Sequence, residues 1–203
     1  IKKIISRLGE RSAMEMNKLP KDWQVTKIKD LHPPDEFIMP TPWERGTYEY
    51  NAPGNVTFRE EIQVGGSYSR YNHPSMKELH LKIRDILEKM MGERIYPSYY
   101  FDRFYFKGNE LVRHIDRGAC EISVSYHISS NLNYEWPIYF ENEAGDRVSI
   151  TCNPGDAVLY RGCDLHHWRE PMKGNSESCF HQAFFHFVRA DGYYVQHAYD
   201  QLR

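Results

Sequence analysis

The sequence is poor in the features that mark specialised classes of protein. Its 203 residues hold four cysteines, Cys120, Cys152, Cys163 and Cys179, and no two form a Cys-x-x-Cys pair. That spacing argues against a zinc knuckle and leaves free thiols in a reducing compartment as the expectation. No hydrophobic run is long enough to cross a bilayer, and the opening Ile1-Lys2-Lys3-Ile4-Ile5 is interrupted by charge at once. No sign of charge dominates: 26 Lys and Arg stand against 28 Asp and Glu, a net charge of −2. Neither a general nucleic-acid surface nor an acidic tail is indicated. There is no internal repeat and no low-complexity tract. The expectation is a cytoplasmic protein without a membrane or nucleic-acid partner. Oligomeric state is not legible.

What is present favours strands. Aromatic residues make up 14% of the chain, with Tyr alone at 15, and such residues fit sheets better than helices. The length suits a single domain. We expect residues 1–50 to be an N-terminal extension and Pro-rich arm packed on a domain formed by residues 51–203. Ile4, Ile5, Leu8 and Met16 make an incomplete stripe for a helix over Ile4–Met16. Lys27-Ile28-Lys29 reads as solvated surface. His32-Pro33-Pro34 and Met39-Pro40-Thr41-Pro42 forbid a regular helix between Leu31 and Tyr50. Asn51–Asn55 reads as a turn and Val56–Val64 as a strand, punctuated by Gly65-Gly66-Ser67.

The clearest helix is Pro74–Met91. Pro74 suits the first turn, Ser75 with Glu78 resembles a capping box, and Gly92 suits the stop. Met76, Leu79, Ile83, Ile86, Leu87 and Met90 form its apolar stripe, which reads as a buttress packed on a sheet. The pattern then turns to period two. It predicts strands Ser98–Phe106, Leu111–Asp116, Cys120–Ser129, Pro137–Asn142, Arg147–Cys152, Ala157–Arg161 and Ser178–Val188. Gly108-Asn109 and Ala144-Gly145-Asp146 are hairpin connections, and Asn153-Pro154-Gly155-Asp156 has the makings of a type II turn. The fold class expected is mainly β with flanking helices, an antiparallel sandwich or barrel.

Two stretches carry chemistry: Leu111-Val112-Arg113-His114-Ile115-Asp116-Arg117 and Cys163-Asp164-Leu165-His166-His167-Trp168-Arg169. Alternate residues of a strand share a face, with Cα atoms about 6.5–7 Å apart. His114 and Asp116 can therefore converge on one ion through bonds of about 2.1 Å. A second histidine arrives about 50 residues later, after a turn and a strand. Two His and one carboxylate with open positions remaining suit non-haem Fe(II). Neighbouring strand residues face opposite ways, so one of His166 and His167 is the ligand, not both. The competing reading is an ordinary ion pair of His114 or Asp116 with Arg113 or Arg117, and core or rim histidines at 166 and 167.

With Gly155-Asp156-Ala157-Val158-Leu159-Tyr160-Arg161-Gly162, His167-Trp168-Arg169-Glu170-Pro171, Leu111–Ser125 and Phe180–Val188, the region from Ser98 to Gly192 resembles the Fe(II)/2-oxoglutarate-dependent oxygenases of the prolyl 4-hydroxylase-like group. The resemblance implies a double-stranded β-helix, or jelly roll, with the metal in its mouth. It implies His114, Asp116 and His167 as iron ligands, and Tyr105 and Tyr126 beside the cosubstrate, where ordinary sheet packing is an equal reading. It implies Fe(2+), 2-oxoglutarate and, as an accessory, ascorbate. The reaction would be hydroxylation of an unactivated C–H of a peptidyl residue, such as proline, or of a small molecule, with release of succinate and CO2. A carboxylate at 116 leaves no room for a halide, which favours hydroxylation over halogenation. Arg117 and Trp168 would face substrate, although aromatic residues also fill sheets. One departure stands out. The group normally has an Arg or Lys on the last strand to hold the far carboxylate of 2-oxoglutarate, and Ser178–Val188 has neither. His181 or Gln182 would take that place, or Arg169, Lys173 or Arg117 would reach in from loops. The alternative is a cupin-like metal- or ligand-binding module without oxygenase activity.

Overall fold

The computed structural model describes residues 10–12, 18–33, 50–52, 56–61 and 63–200. In chain order the described elements are β1 (Glu10–Ser12), β2 (Val25–Lys29), β3 (Tyr50–Ala52), β4 (Val56–Glu61), β5 (Val64–Tyr71), α1 (Lys77–Met91), β6 (Ile95–Phe106), β7 (Leu111–His114), β8 (Ile122–Ser130), β9 (Ile138–Glu141), β10 (Arg147–Ile150), β11 (Ala157–Tyr160), β12 (His166–Arg169) and β13 (Cys179–Arg189). They form a nine-stranded sheet in the order β1-β2-β11-β8-β13-β6-β5-β4-β3 and a four-stranded sheet in the order β10-β9-β12-β7. Pairing is antiparallel except between β1 and β2. The interleaving of consecutive strands between two facing sheets is a double-stranded β-helix, the fold class the sequence predicts. Among the described residues no helix is long and apolar enough to cross a membrane, and all four cysteines are free.

The large sheet is buried on both faces at its centre. Phe180, Gln182 and Phe184 of β13 lie opposite Tyr105, Arg103 and Phe101 of β6 on the face turned to the small sheet. The alternate residues, such as Tyr100, Ala183 and Phe185, join a second cluster with Ile83, Leu87 and Met90 of α1. Ile83 and Leu87 are fully buried, each stabilising by about 1.5–3 kcal/mol. The helix is the expected buttress. A 3-10 turn over Pro74–Met76 precedes it. His73 caps that turn through its Nδ1, which accepts from the Ser75 N–H, in place of the capping box expected from Ser75 and Glu78. Gly92 ends α1 at φ 70°, as the sequence predicts.

Several local expectations are corrected. Glu10–Ser12 is a strand parallel to Lys27–Lys29, not helix; the rest of the helix expected over Ile4–Met16 lies outside the described residues. Lys27-Ile28-Lys29 is not solvated surface, because β2 extends the large sheet beyond β11. Ile28 is buried, and Lys27 Nζ lies 3.3 Å from Asp156. Residues 34–49 of the Pro-rich arm and residues 53–55 of the expected turn are also outside the described residues. The strand expected over Val56–Val64 is a hairpin of β4 and β5, and Gly65-Gly66-Ser67 lies within β5. Here Gly66 takes φ 77°, and the carbonyl of Gly65 accepts from Asn109 Nδ2 at 2.8 Å. Finally, β12 is a strand in its own right. It pairs His167 directly with His114 of β7, and this register builds the site.

Candidate metal centre

His114 is the last residue of β7 and Asp116 sits in the loop that follows. His114, Asp116 and His167 each offer a ligand atom, and the three atoms lie within 4.8 Å of one another. Nε2 of His114 and Nε2 of His167 are each 3.5 Å from Asp116 Oδ1. The two imidazoles meet at 4.3 Å between centroids. His114 donates its Nδ1–H to the carbonyl of Val112 at 2.7 Å, and His167 donates its own to Leu165 at 3.0 Å. With Nδ1 committed to a carbonyl, each Nε2 is left to accept or to coordinate, which is the usual orientation of a metal-ligating histidine. The residues present therefore fit a divalent ion of the kind that takes two imidazoles and a carboxylate. His166 pairs with Glu141 in register, turns the other way and is absent from the cluster.

The carboxylate is fixed from behind. Asp116 Oδ2 accepts from Ser123 Oγ at 3.1 Å, and Ser123 Oγ in turn lies 2.9 Å from His186 Nδ1. The Asp116 N–H donates to Gly162 O at 2.9 Å. Burial alone would raise the Asp116 carboxyl. Where protons rather than a metal ion occupy the two Nε2 atoms, the His167 charge and the hydrogen bonds from His114 and His167 outweigh it and hold the group well below the usual carboxylate range. Asp116, Cys120 and His186 form a second close group. Burial first, then the Asp116 charge, pushes the Cys120 thiol well above its ordinary value. A thiol kept protonated is a poor ligand, so the histidine pair with Asp116 is the better set.

These residues border a cavity of about 90 Å³, with Phe101, Arg103 and Phe184 on its opposite wall. Tyr160 closes one side, its ring 4.9 Å from that of His167. Tyr71, Phe101 and Phe184 stack in series at 4.8 and 4.6 Å. Beside these rings the cavity is lined by polar side chains, Gln63, Tyr99, Arg103 and His186 besides the candidate ligands, which can orient a bound molecule.

The other sequence-predicted residues divide by face. Tyr105 and Gln182 lie on the face of the large sheet turned to the cavity. Tyr105 is fully buried against Trp136 and accepts from Arg103 Nη1 at 3.3 Å. Gln182 Oε1 accepts from Arg169 Nη2 at 3.1 Å. Tyr126 and His181 are placed differently from the expectation. Both lie on the opposite face. Tyr126 packs with the α1 cluster and its hydroxyl donates to Pro33 O. His181 stacks on Phe104 at 3.8 Å and meets the buried Asp102 carboxylate at 2.5 Å. Arg117 is at the rim, 4.8 Å over the Tyr99 ring and 2.7 Å from Asp200. Trp168 faces away from the cavity, stacked on Tyr139 at 5.4 Å between Arg113 and Arg147. Arg103, Ser123, Gly162 and His186 were not singled out in the sequence. Arg103 has the same strand parity as Tyr105, and that signal was sufficient to find it.

No protein-family model matches the sequence, and no curated protein matches it. Solved structures do resemble it. An oxidoreductase of the 2OG-Fe(II) oxygenase family from Burkholderia pseudomallei superposes with a TM-score of 0.50 at 12% identity, over 60% of this chain and 66% of that one, slightly under two thirds of its length. A prolyl hydroxylase from Trichoplax adhaerens, in complex with a hypoxia inducible factor oxygen degradation domain peptide fragment, gives 0.50 at 13%, over 68% and 69%. The epimerase SnoN, in complex with Fe3+, alpha ketoglutarate and nogalamycin RO, gives 0.52 at 10%, over 66% and 68%. At these identities the likeness is one of fold.

Proposed function

We propose that this protein is a non-haem Fe(II)- and 2-oxoglutarate-dependent dioxygenase. The observation that carries the reading is the convergence of His114 Nε2, His167 Nε2 and Asp116 Oδ1 beside an aromatic-walled cavity. Fold likeness adds to it and by itself settles no activity. His114, Asp116 and His167 would hold the iron, with Tyr105 and Gln182 facing the cosubstrate. Iron and 2-oxoglutarate, when bound, supply oxidation of an unactivated C–H bond by O2, with succinate and CO2 as co-products.

The chain's own part is positioning. Val112 O and Leu165 O orient the two imidazoles, and Ser123 and the backbone of Gly162 orient the carboxylate. Phe101, Phe184 and Tyr160 keep bulk water from the centre. Arg117 at the rim is a candidate substrate contact, and Trp168, facing outward, is a weaker one. The substrate is a peptidyl residue, proline foremost, or a small molecule; proteins of this fold are found with both a peptide and nogalamycin RO. The domain is taken as residues 51–203, with residues 1–50 packed on it.

The test is anaerobic addition of Fe(II) and 2-oxoglutarate, watching for the visible charge-transfer band of a chelated keto acid. The band is expected in the wild type and in His166→Ala and is expected to vanish in His167→Ala. Iron bound without a band would favour a metal-binding module with no oxygenase activity.

A further inference from the structure

Ser123 has one hydroxyl proton and faces three hydrogen-bonding atoms. Its Oγ lies 3.1 Å from Asp116 Oδ2, 3.1 Å from Cys120 O and 2.9 Å from His186 Nδ1. A hydroxyl offers one donor and two lone pairs. The ionised carboxylate and the carbonyl can only accept, so they compete for that one proton. A bare Nδ1 would be a third acceptor with no proton to meet, its lone pair set against those of Oγ. Nδ1 therefore carries a hydrogen and donates it to Ser123. A doubly protonated ring would donate through the same atom, so the direction does not depend on the charge of His186. In the neutral ring the choice leaves Nε2 bare, and that atom is buried without a hydrogen-bond partner among the described residues. A hydrogen in that place would be an orphaned buried donor.

The strands put the two side chains together. Ser123 of β8 and His186 of β13 are direct partners in register, and side chains so paired stand about 4.5–5.5 Å apart at Cβ. The register of β13 with β6 shifts between Phe185 and Phe187. His186 thus stands at an irregularity, where a strand re-aims a side chain. Both residues are buried. The imidazole packs on Tyr99 at 4.6 Å and Phe101 at 5.9 Å between ring centroids. On the other side of Ser123, the carboxylate presents its two oxygens to different partners. Oδ2 meets the hydroxyl, and Oδ1 lies 3.5 Å from each of the two ligand Nε2 atoms.

We infer that His186 is a positioning residue: by donating to Ser123 it fixes the hydroxyl and keeps its proton on Asp116 Oδ2, so that the carboxylate offers Oδ1 alone to a metal ion. The inference rests on the reading of His114, Asp116 and His167 as metal ligands. An ionised oxygen is a stronger acceptor than the Cys120 carbonyl, which decides where the serine proton goes. Bonds in such a chain polarise and strengthen one another. A carboxylate free to turn can ligate through both oxygens and would then occupy a position that a bound molecule needs. The close group of Asp116, Cys120 and His186 is accordingly the support of the first ligand set and not a second site.

Two substitutions separate this role from ring packing, because the two roles predict opposite results. His186→Phe keeps a ring against Tyr99 and Phe101 and removes the donor. His186→Asn loses the ring and places an amide N–H where Nδ1 stood. The Fe(II) dissociation constant is measured anaerobically by competition with a chromophoric chelator. His186→Phe is expected to weaken Fe(II) by about 10–100-fold, the scale of a lost supporting partner, and His186→Asn to stay near the wild type. Ser123→Ala should weaken it to a similar degree. Adding His186→Phe to Ser123→Ala should change nothing further, because both remove the same relay. The tautomer is read on the Zn(II)-loaded protein by long-range proton–nitrogen correlation, with the His186→Asn spectrum assigning the ring; the hydrogen is expected on Nδ1. Fe(II) bound as tightly by His186→Phe as by the wild type overturns the inference. So does an Asn variant as weak as the Phe variant, a loss that multiplies in the double variant, or a ring with its only hydrogen on Nε2. Should His186→Phe not fold, His186→Asn and the tautomer carry the test. A wild type that takes up no Fe(II) is a different result. It is failure of the metal reading, and the inference falls with it.

Discussion

The Asp116 N–H donates to the carbonyl of Gly162 at 2.9 Å, which ties the loop after β7 to the loop after β11. The approach is close enough that only glycine fits. A β-carbon at 162 would run into Cys120 O and Asp116 Oδ2 and lie 2.8 Å from Ser123 Oγ. Gly162→Ala is therefore expected to push the Asp116 carboxylate off its position. We expect it to weaken Fe(II) binding by about 10–100-fold, the scale of a lost supporting contact. Overpacking should cost about 1–3 kcal/mol of stability. Metal titration and thermal melting of the same preparation check both. Full metal affinity in the variant would mean that the carboxylate finds its place without the cradle.

His181 and Asp102 lie on the face of the large sheet away from the cavity. Asp102 is fully buried. Burial would raise its carboxyl, but Arg70 and His181 overcome this and hold it at about 2. His181→Ala takes one partner from that carboxylate and leaves Arg70, whose Nε donates to Asp102 at 2.9 Å. The expected loss is about 1–3 kcal/mol of folding stability, with unchanged affinities for Fe(II) and 2-oxoglutarate. Denaturant unfolding and the anaerobic titration separate these quantities. A raised 2-oxoglutarate requirement at undiminished stability would return His181 to the cofactor site.

That residue also shows where sequence reading reaches its limit. Period two gives the parity of each side chain, and Gly155 and Gly92 mark a turn and a helix end by their positive φ. His114 and Asp116 converge as expected, but the strand expected over Leu111–Asp116 ends at His114, and Asp116 reaches the site from the loop that follows, not from a shared strand face. Parity does not say which face is the interior when both are covered. β8 is buried from Ile122 to Ser129 and β13 from Cys179 to Val188, so hydrophobicity marks neither side. Tyr126 and His181 were given cosubstrate places by the resemblance, which fixes a strand but not a face, and both belong to the face away from the cavity. Arg169 was expected to reach in from a loop, whereas it ends strand β12. Its contact with Gln182 joins strands of different sheets, and a local pattern carries no information about that.

Two buried histidines make stability sensitive to mild acid. His80 of α1 lies 3.1 Å from His186 O through its Nε2, among the rings of Tyr100, Phe185 and Phe187. His127 donates its Nδ1–H to Cys152 O at 2.8 Å and stacks on Phe180 at 4.0 Å. Burial is the main cause that lowers them, to about 3 and about 4, from an ordinary value of 6.5. Between about 4 and 6.5 the unfolded chain therefore binds protons that the folded chain refuses, and stability falls as pH drops through that window. Each group contributes at most roughly 3 kcal/mol of the change, at 1.36 kcal/mol per unit. Asp102, depressed from 3.8 to about 2, acts lower: its contribution is complete above 3.8 and is lost as pH falls toward 2. The melting temperature is expected to decline steadily from pH 6.5 to 4.5, and His80→Phe should flatten part of that decline while lowering the value at pH 7.5 through the lost bond to His186 O. Circular dichroism melts across this range decide the matter. A wild-type profile that stays level from pH 7.5 to 4.5 would mean that these imidazoles gain protons in the folded state as readily as in the unfolded chain.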